Sequence, residues 1–190
     1  MMEYLFLKGV TSMHQYTLET DRLILRPLTV NDAEAEFVWL SDPEVNRFMP
    51  YNLYTSVEQA VEWLRHVEQV EDEYHFGFVR KEDGLLVGAG SIGPKPGRPY
   101  SVAETWEFGY NLRRDCWNKG YATEATRAMI DFAHRTFGVK DFLASHAVEN
   151  PASGRVMEKV GCSFDHFSEY TTFDGQQTLP AKIWTLHLED

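Results

Sequence analysis

Cysteine is scarce in this chain. Only Cys116 and Cys162 occur in 190 residues, far apart and in no metal-like spacing, which excludes a thiolate zinc site and a disulfide framework and suits a reducing compartment. Long apolar runs are missing too. Crossing a bilayer takes roughly 20 apolar residues, and Tyr4 to Leu7 is a short run without a basic leader or a small-residue cleavage site. No membrane association is expected, and the chain reads as cytoplasmic. Positive charge is in deficit: 18 Lys and Arg stand against 29 Asp and Glu, for a net charge of −11. Such a surface repels a polyanion on average, so nucleic acid is not an expected partner. Internal repeats and low-complexity segments are also lacking.

What is present is material for a core. Hydrophobic residues make up 43% of the chain and aromatic ones 14%, enough for a single domain over residues 17–190 behind an N-terminal arm of residues 1–16. Leu23 to Leu28 reads as a strand, followed by Asn31 as a helix cap with Glu34 three residues on. That helix ends at Ser41 to Pro43. Irregular or short helical structure is expected around Pro50. Ser56 and Gln59 form a capping box ahead of an amphipathic helix with Val57, Ala60, Val61, Leu64 and Val67 inward. Its other face carries Glu58, Glu62, Glu68, Glu71 and Asp72. Two strands, His75 to Arg80 and Leu85 to Ile92, flank a KEDG turn and should pair antiparallel. Gly93 to Glu104 is a proline- and glycine-rich loop with two basic residues, Lys95 and Arg98.

The stretch from Thr105 to Ala125, TWEFGYNLRRDCWNKGYATEA, organises the rest. Trp106, Phe108 and Tyr110 alternate with Thr105, Glu107 and Gly109, the period of a two-faced strand. Helical spacing then takes over, with Ala122, Ala125, Met129, Phe132 and Ala133 on one face. The NKGYA segment lies at the join. Amide N–H groups at a helix N-terminus, with a glycine that lets backbone approach, suit an anion such as a diphosphate. An ordinary glycine turn has the same spacing. Lys140 to Ser145 reads as a further strand, and Asn150 with Pro151 opens a short helix with a stripe of Ala152, Val156 and Val160, stopped by Gly161. Strands around Phe164 to Thr172 and Ala181 to Leu188 finish the chain.

Three segments in this order, ETDRLILRPLTVNDAE, FGYNLRRDCWNKGYATEA and NPASGRVMEKVGCSF, resemble the GNAT superfamily of acetyl-CoA-dependent N-acetyltransferases, in the branch that acetylates ribosomal-protein N-termini. The resemblance spans Thr20 to Leu188. It implies an α/β (α+β) fold, with a mixed, mostly antiparallel central sheet of about seven strands, flanked by helices and splayed at the acetyl-CoA site. It also implies acetyl-CoA as co-substrate and no metal. The pyrophosphate would meet the segment Trp117, Asn118, Lys119, Gly120, Tyr121 and Ala122, with the Thr123 hydroxyl in reach. Tyr110, Leu112 and Arg114 would support the pantetheine arm, the last two through backbone. Asn150 and Ser153 would face the cofactor from the following helix, where they also suit helix capping. Two departures stand out. Asn118 replaces a frequent glycine, and Met157 replaces the tyrosine that in many members protonates the leaving thiolate.

Acetyl transfer to an amine needs a neutral amine, an oxyanion site and a proton for the thiolate. An alkyl ammonium, with a pKa near ~10.4, must first lose a proton. Glu107, on the central strand, is the expected base, with Glu104 or a water chain as alternatives. A backbone N–H around Tyr110 to Leu112 suits the oxyanion. Ser153 is the expected proton donor, with Tyr110 a possible substitute. Neither cysteine is needed. The acceptor is expected to be a small-molecule or peptide amine, and the acidic helix face raises a cationic one such as a polyamine or aminoglycoside. The protein is expected to act as a monomer or homodimer. The competing reading is a sensor that binds acyl-CoA without turnover.

Overall fold

The computed structural model describes residues 16–94 and 104–189. Apart from Tyr16, the N-terminal arm lies outside them, as does most of the basic loop before the central strand. One sheet of eight strands runs in the order β1-β2-β3-β4-β5-β6-β8-β7. Its strands are β1 (Leu18–Glu19), β2 (Leu23–Pro27), β3 (Tyr74–Arg80), β4 (Leu86–Pro94), β5 (Trp106–Leu112), β6 (Asp141–Ala147), β7 (Ser163–Thr171) and β8 (Thr178–His187). Among the described residues the helices are α1 (Ala33–Leu40), α2 (Pro43–Asn46), α3 (Val57–Val67), α4 (Tyr121–Phe137) and α5 (Pro151–Val160). The fold is therefore the mixed α/β arrangement expected, with one strand more. The addition is the two-residue β1, which pairs Leu18 with Leu25 at the sheet edge and is too short to show any alternation of its own.

Alternation along each strand sends side chains to two faces, and a core forms on each. On one, Leu23, Leu25, Phe76, Phe78 and Phe108 meet Ala125, Met129 and Phe132 of α4. On the other, Leu28, Leu86 and Ala89 meet Trp39 and Leu40 of α1 and Ala60 and Leu64 of α3. Bare backbone in β4 allows the tight fit beside β5. A Cβ at Gly88 would lie 2.4 Å from the Asn111 carbonyl oxygen, and one at Gly90 would lie 2.6 Å from the Phe78 ring.

The helix boundaries follow their caps. The Ser56 and Gln59 box opens α3 as expected. The capping box before α1 lies at Thr29 and Asp32 rather than at Asn31 and Glu34, and it opens a 3-10 turn, Val30–Asp32, that runs directly into the helix: Asp32 accepts the Thr29 N–H at 2.9 Å while its two oxygens take the Arg26 guanidinium at 2.6 and 2.9 Å. Asn150 caps α5 by accepting the Ser153 N–H at 3.2 Å. Gly154 and Met157 form the buried face of that helix, whereas Ala152 is exposed. The reason is a close approach to β6: a Cβ at Gly154 would lie 2.9 Å from His146 Nε2, so the helix turns its smallest residue inward.

Every neighbouring pair of strands is antiparallel except β5 and β6. Those two share only the pairs Trp106↔Phe142 and Glu107↔Leu143. Beyond Glu107 they part, and the sheet opens.

Candidate active site

The parting of β5 from β6 creates a cavity of about 650 Å³. On the β4 side, β5 stays paired up to Leu112, so its other edge carries backbone donors and acceptors into the opening. Glu107, Tyr110 and Leu112 line the cavity from β5. Across from them, Asn150 and Ser153 line it from the start of α5. The Tyr110 hydroxyl lies 3.0 Å from Ser153 Oγ, so two hydroxyls from distant segments form one hydrogen-bonded pair. Burial pushes the Tyr110 phenol well above its ordinary pKa, a hydrogen bond with Ser153 partly opposing it. It therefore stays protonated at neutral pH and keeps a proton to share.

The floor near α4 is backbone. After β5 the chain makes a 3-10 turn, Arg114–Cys116, and reaches Asn118 and Gly120 with φ of 59° and 84°. Glycine adopts this left-handed region without penalty and asparagine tolerates it, which explains why Asn118 can replace a glycine. Helix α4 then starts with no side-chain cap. Its first N–H groups, which lack intrahelical partners, belong to Tyr121, Ala122 and Thr123, and these residues line the cavity with Trp117, Asn118 and Gly120. An uncapped helix start facing a cavity fits an anionic phosphate group.

Arg22, within the first motif but not singled out by sequence reasoning, braces this loop from outside. Its Nε and backbone N–H donate to the Glu124 carboxylate at 2.7 and 2.8 Å, and its Nη1 donates to the Lys119 carbonyl at 2.9 Å. The guanidinium also lies 4.7 Å from the Tyr121 ring centroid. Lys119 and Arg114 do not line the cavity: the carbonyl of the first is turned to Arg22, and the second sits in the 3-10 turn. Glu104, the alternative base, is exposed in a left-handed conformation with φ 78° before β5 and does not line the cavity either. Trp117 donates its indole N–H to the Leu112 carbonyl at 3.0 Å, fixing the turn between strand and loop.

Met157 is buried and offers no proton. Both cysteines are free and buried. Burial raises the Cys116 thiol and pushes the Cys162 thiol up to about 11, and neither lines the cavity. The cavity also holds His146, a buried residue stacked on Trp184. Burial lowers its pKa and keeps the ring neutral, the Ala147 carbonyl partly opposing this. A lone histidine in a strand carries no signal in sequence.

A strand leaving its parallel neighbour, with an uncapped glycine-led helix at the mouth, is the geometry for which a family comparison is decisive. The model of the acetyltransferase (GNAT) domain family matches residues 22–163. The chain belongs to the GNAT acetyltransferases. It is 31% identical over 150 residues to the N-acetyltransferase YoaA of Bacillus subtilis, covering 76% of this chain and 81% of that one. Among solved structures, a GNAT-family acetyltransferase from Bacillus anthracis superposes with a TM-score of 0.79 at 22% identity, over 90% of this chain and 98% of that one. RimL, a ribosomal alpha-N-protein acetyltransferase solved with coenzyme A, superposes with a TM-score of 0.76 at 14% identity, over 91% and 98% of the two chains. This GNAT protein is thus an acetyl-CoA-dependent acyltransferase with acetyl-CoA as its co-substrate. Among the described residues, no helix is long and apolar enough to cross a membrane, and no cluster of residues could hold a metal ion.

Proposed function

We propose that the protein moves the acetyl group of acetyl-CoA directly to a primary amine, on a small molecule or a protein N-terminus, with both substrates bound together. The observation that carries this reading is the parting of β5 and β6 after Glu107. It brings a carboxylate, a hydroxyl pair and an unpaired strand edge to one cavity. Acetyl-CoA supplies an activated acetyl group and a thiol leaving group. The N–H groups of Tyr121 to Thr123, with the Thr123 hydroxyl, hold its diphosphate. The β5 edge from Phe108 to Leu112 supports the pantetheine arm, and a backbone N–H there meets negative charge developing on the carbonyl oxygen.

Glu107 takes the proton of the incoming ammonium, directly or through water. Ser153 gives its proton to the departing sulfur, and Tyr110, kept protonated by burial, holds and replenishes it through their 3.0 Å contact. A thiolate with a pKa near ~8.5 needs little help, so this donation is worth a modest rate factor. A ribosomal-protein N-terminus as acceptor rests on the fold shared with RimL, and free, buried cysteines accord with a cytoplasmic location.

The test is release of CoA thiol from acetyl-CoA in the presence of amines, comparing wild type with Glu107→Gln and Ser153→Ala. Amine-dependent release, reduced by about 100-fold in the first variant and about tenfold in the second, is expected. Full activity in Glu107→Gln would move the base role to a water chain. Binding of acetyl-CoA without CoA release for any amine would make the protein a sensor and overturn the proposal.

A further inference from the structure

One wall of the cleft is left unused by acetyl-CoA chemistry. Phe48, Met49, Pro50, Tyr170 and Phe173 line the cavity from two segments far apart in sequence. Hydrogen bonds lock those segments together. The Tyr170 hydroxyl donates to the Phe48 carbonyl at 2.5 Å, and the Phe173 N–H donates to the Pro50 carbonyl at 2.7 Å. From the sheet, Asn111 Nδ2 donates to the Tyr51 hydroxyl at 2.9 Å. The wall therefore exists before any ligand arrives. Phe173 is 75% exposed, an aromatic ring held in water at the cavity mouth.

The floor beneath is β5 between Glu107 and Asn111. At Gly109 an added Cβ would meet nothing within 4 Å, so the strand there presents flat, bare peptide to the cavity. A planar group can lie on it. Charge argues in the same direction. The acidic residues of α3 and the segment after it, Glu58, Glu62, Glu68, Glu71 and Asp72, do not line the cavity. Two carboxylates, Glu44 and Glu107, do line it, against three cations, Arg47, Arg155 and Lys159. Arg155 and Lys159 stand on α5, on the cofactor side, so the acceptor wall itself sets Arg47 against Glu44 and Glu107 and carries at most one uncompensated negative charge, too little to single out a polycation.

We infer that the acceptor is a primary amine carrying an aromatic or other flat apolar group, which packs between the Phe48 to Pro50 wall and the bare peptide of Gly109. This rests on the acetyl-transfer reading above. Burying an aromatic ring there gives a preference of roughly tenfold or more over an amine without one.

The test measures CoA release at saturating acetyl-CoA with phenethylamine, ethylamine, spermidine and kanamycin. We expect kcat/KM for phenethylamine to exceed that for spermidine and kanamycin by about tenfold or more. Phe173→Ala should raise the KM for phenethylamine severalfold and change that for ethylamine little. Gly109→Val, whose new side chain enters open space, should cut phenethylamine turnover far more than ethylamine turnover. A preference for spermidine or kanamycin, or equal losses for both amines in the two variants, overturns the inference. Calorimetric titration of phenethylamine into the CoA-saturated protein separates the two readings. Binding that Gly109→Val abolishes, without turnover of any amine, sustains the chamber and sinks the enzyme reading. No binding and no turnover sink the chamber, and turnover of other amines alone sinks the chamber and spares the enzyme.

Discussion

Glu36 has a carboxyl group almost without access to water: the residue is 2% exposed, and its Oε2 has no hydrogen-bond partner among the described residues. Burial, with the neighbouring Asp32 carboxylate adding to it, raises its pKa from 4.5 to about 8. The folded state therefore binds this proton more tightly than the unfolded chain does. The stabilisation is complete below pH 4.5 and is lost as pH rises through about 8. Glu36→Gln removes the ionisation, so its stability relative to wild type should improve by roughly 2–4 kcal/mol between about pH 5 and about pH 9. Urea midpoints at the two pH values check this, and an unchanged difference would place the carboxyl in contact with solvent. Sequence held no sign of it, because Glu34 and Glu36 on a short helix look like an ordinary solvated face. The Tyr110 and Ser153 pair was half legible. Each residue stood in a recognisable motif, but their 3.0 Å contact joins a strand to a helix that only the fold brings together. Tyr110→Phe and Ser153→Ala should each slow turnover by about three- to tenfold, and the double variant should lose less than the product of the two. Multiplicative losses would mean that the hydroxyls act separately.

Elements announced themselves where local chemistry was complete. The Ser56 box, the Asn150 and Pro151 start and the Gly161 stop are each written in three or four consecutive residues, and each lies where expected. The cap before α1 shifted by two residues because its decisive partner, Arg26, comes from a strand. The start of α4 shows the same limit. The loop proposed to hold the diphosphate, NKGYA, was readable in sequence as a glycine-led helix start, but the brace that holds it was not, since Arg22 and Glu124 lie 102 residues apart in sequence. Arg22 touches Lys119, Tyr121 and Glu124 at once, so its role is to position the loop. The side chain is half exposed, and little global stability should depend on it. Arg22→Ala should raise the KM for acetyl-CoA about five- to twentyfold while kcat falls less than threefold. Arg22→Lys should recover only part of this, because an ammonium cannot replace a fork that spans a carboxylate and a carbonyl. An equal loss of kcat in both variants, with KM unchanged, would remove the brace from cofactor binding.

At the scale of the whole molecule the sheet is two half-sheets, β1 to β5 and β6 with β8 and β7, joined in register at two residue pairs. Nothing in the sequence of β5 marks where its partner leaves. The alternation from Trp106 to Leu112 is unbroken, because β4 stays paired along its full length, and the departure depends on β6, which is tied through seven pairs to β8. The opening was therefore expected from family resemblance and not from pattern. A second link between the halves is the contact of the β7–β8 hairpin with the Phe48 to Pro50 segment. Acetyl-CoA spanning the opening should tie the halves along their unpaired length. Amide exchange should then slow by about tenfold or more in β5 from Phe108 to Leu112 and in the first turn of α4. Acetyl-pantetheine, which lacks the diphosphate, should protect the strand and leave the helix start unchanged. The reverse pattern, protection by acetyl-CoA at α4 alone, would mean that the thioester arm does not run along β5, and the roles given to Glu107 and Ser153 would fall with it.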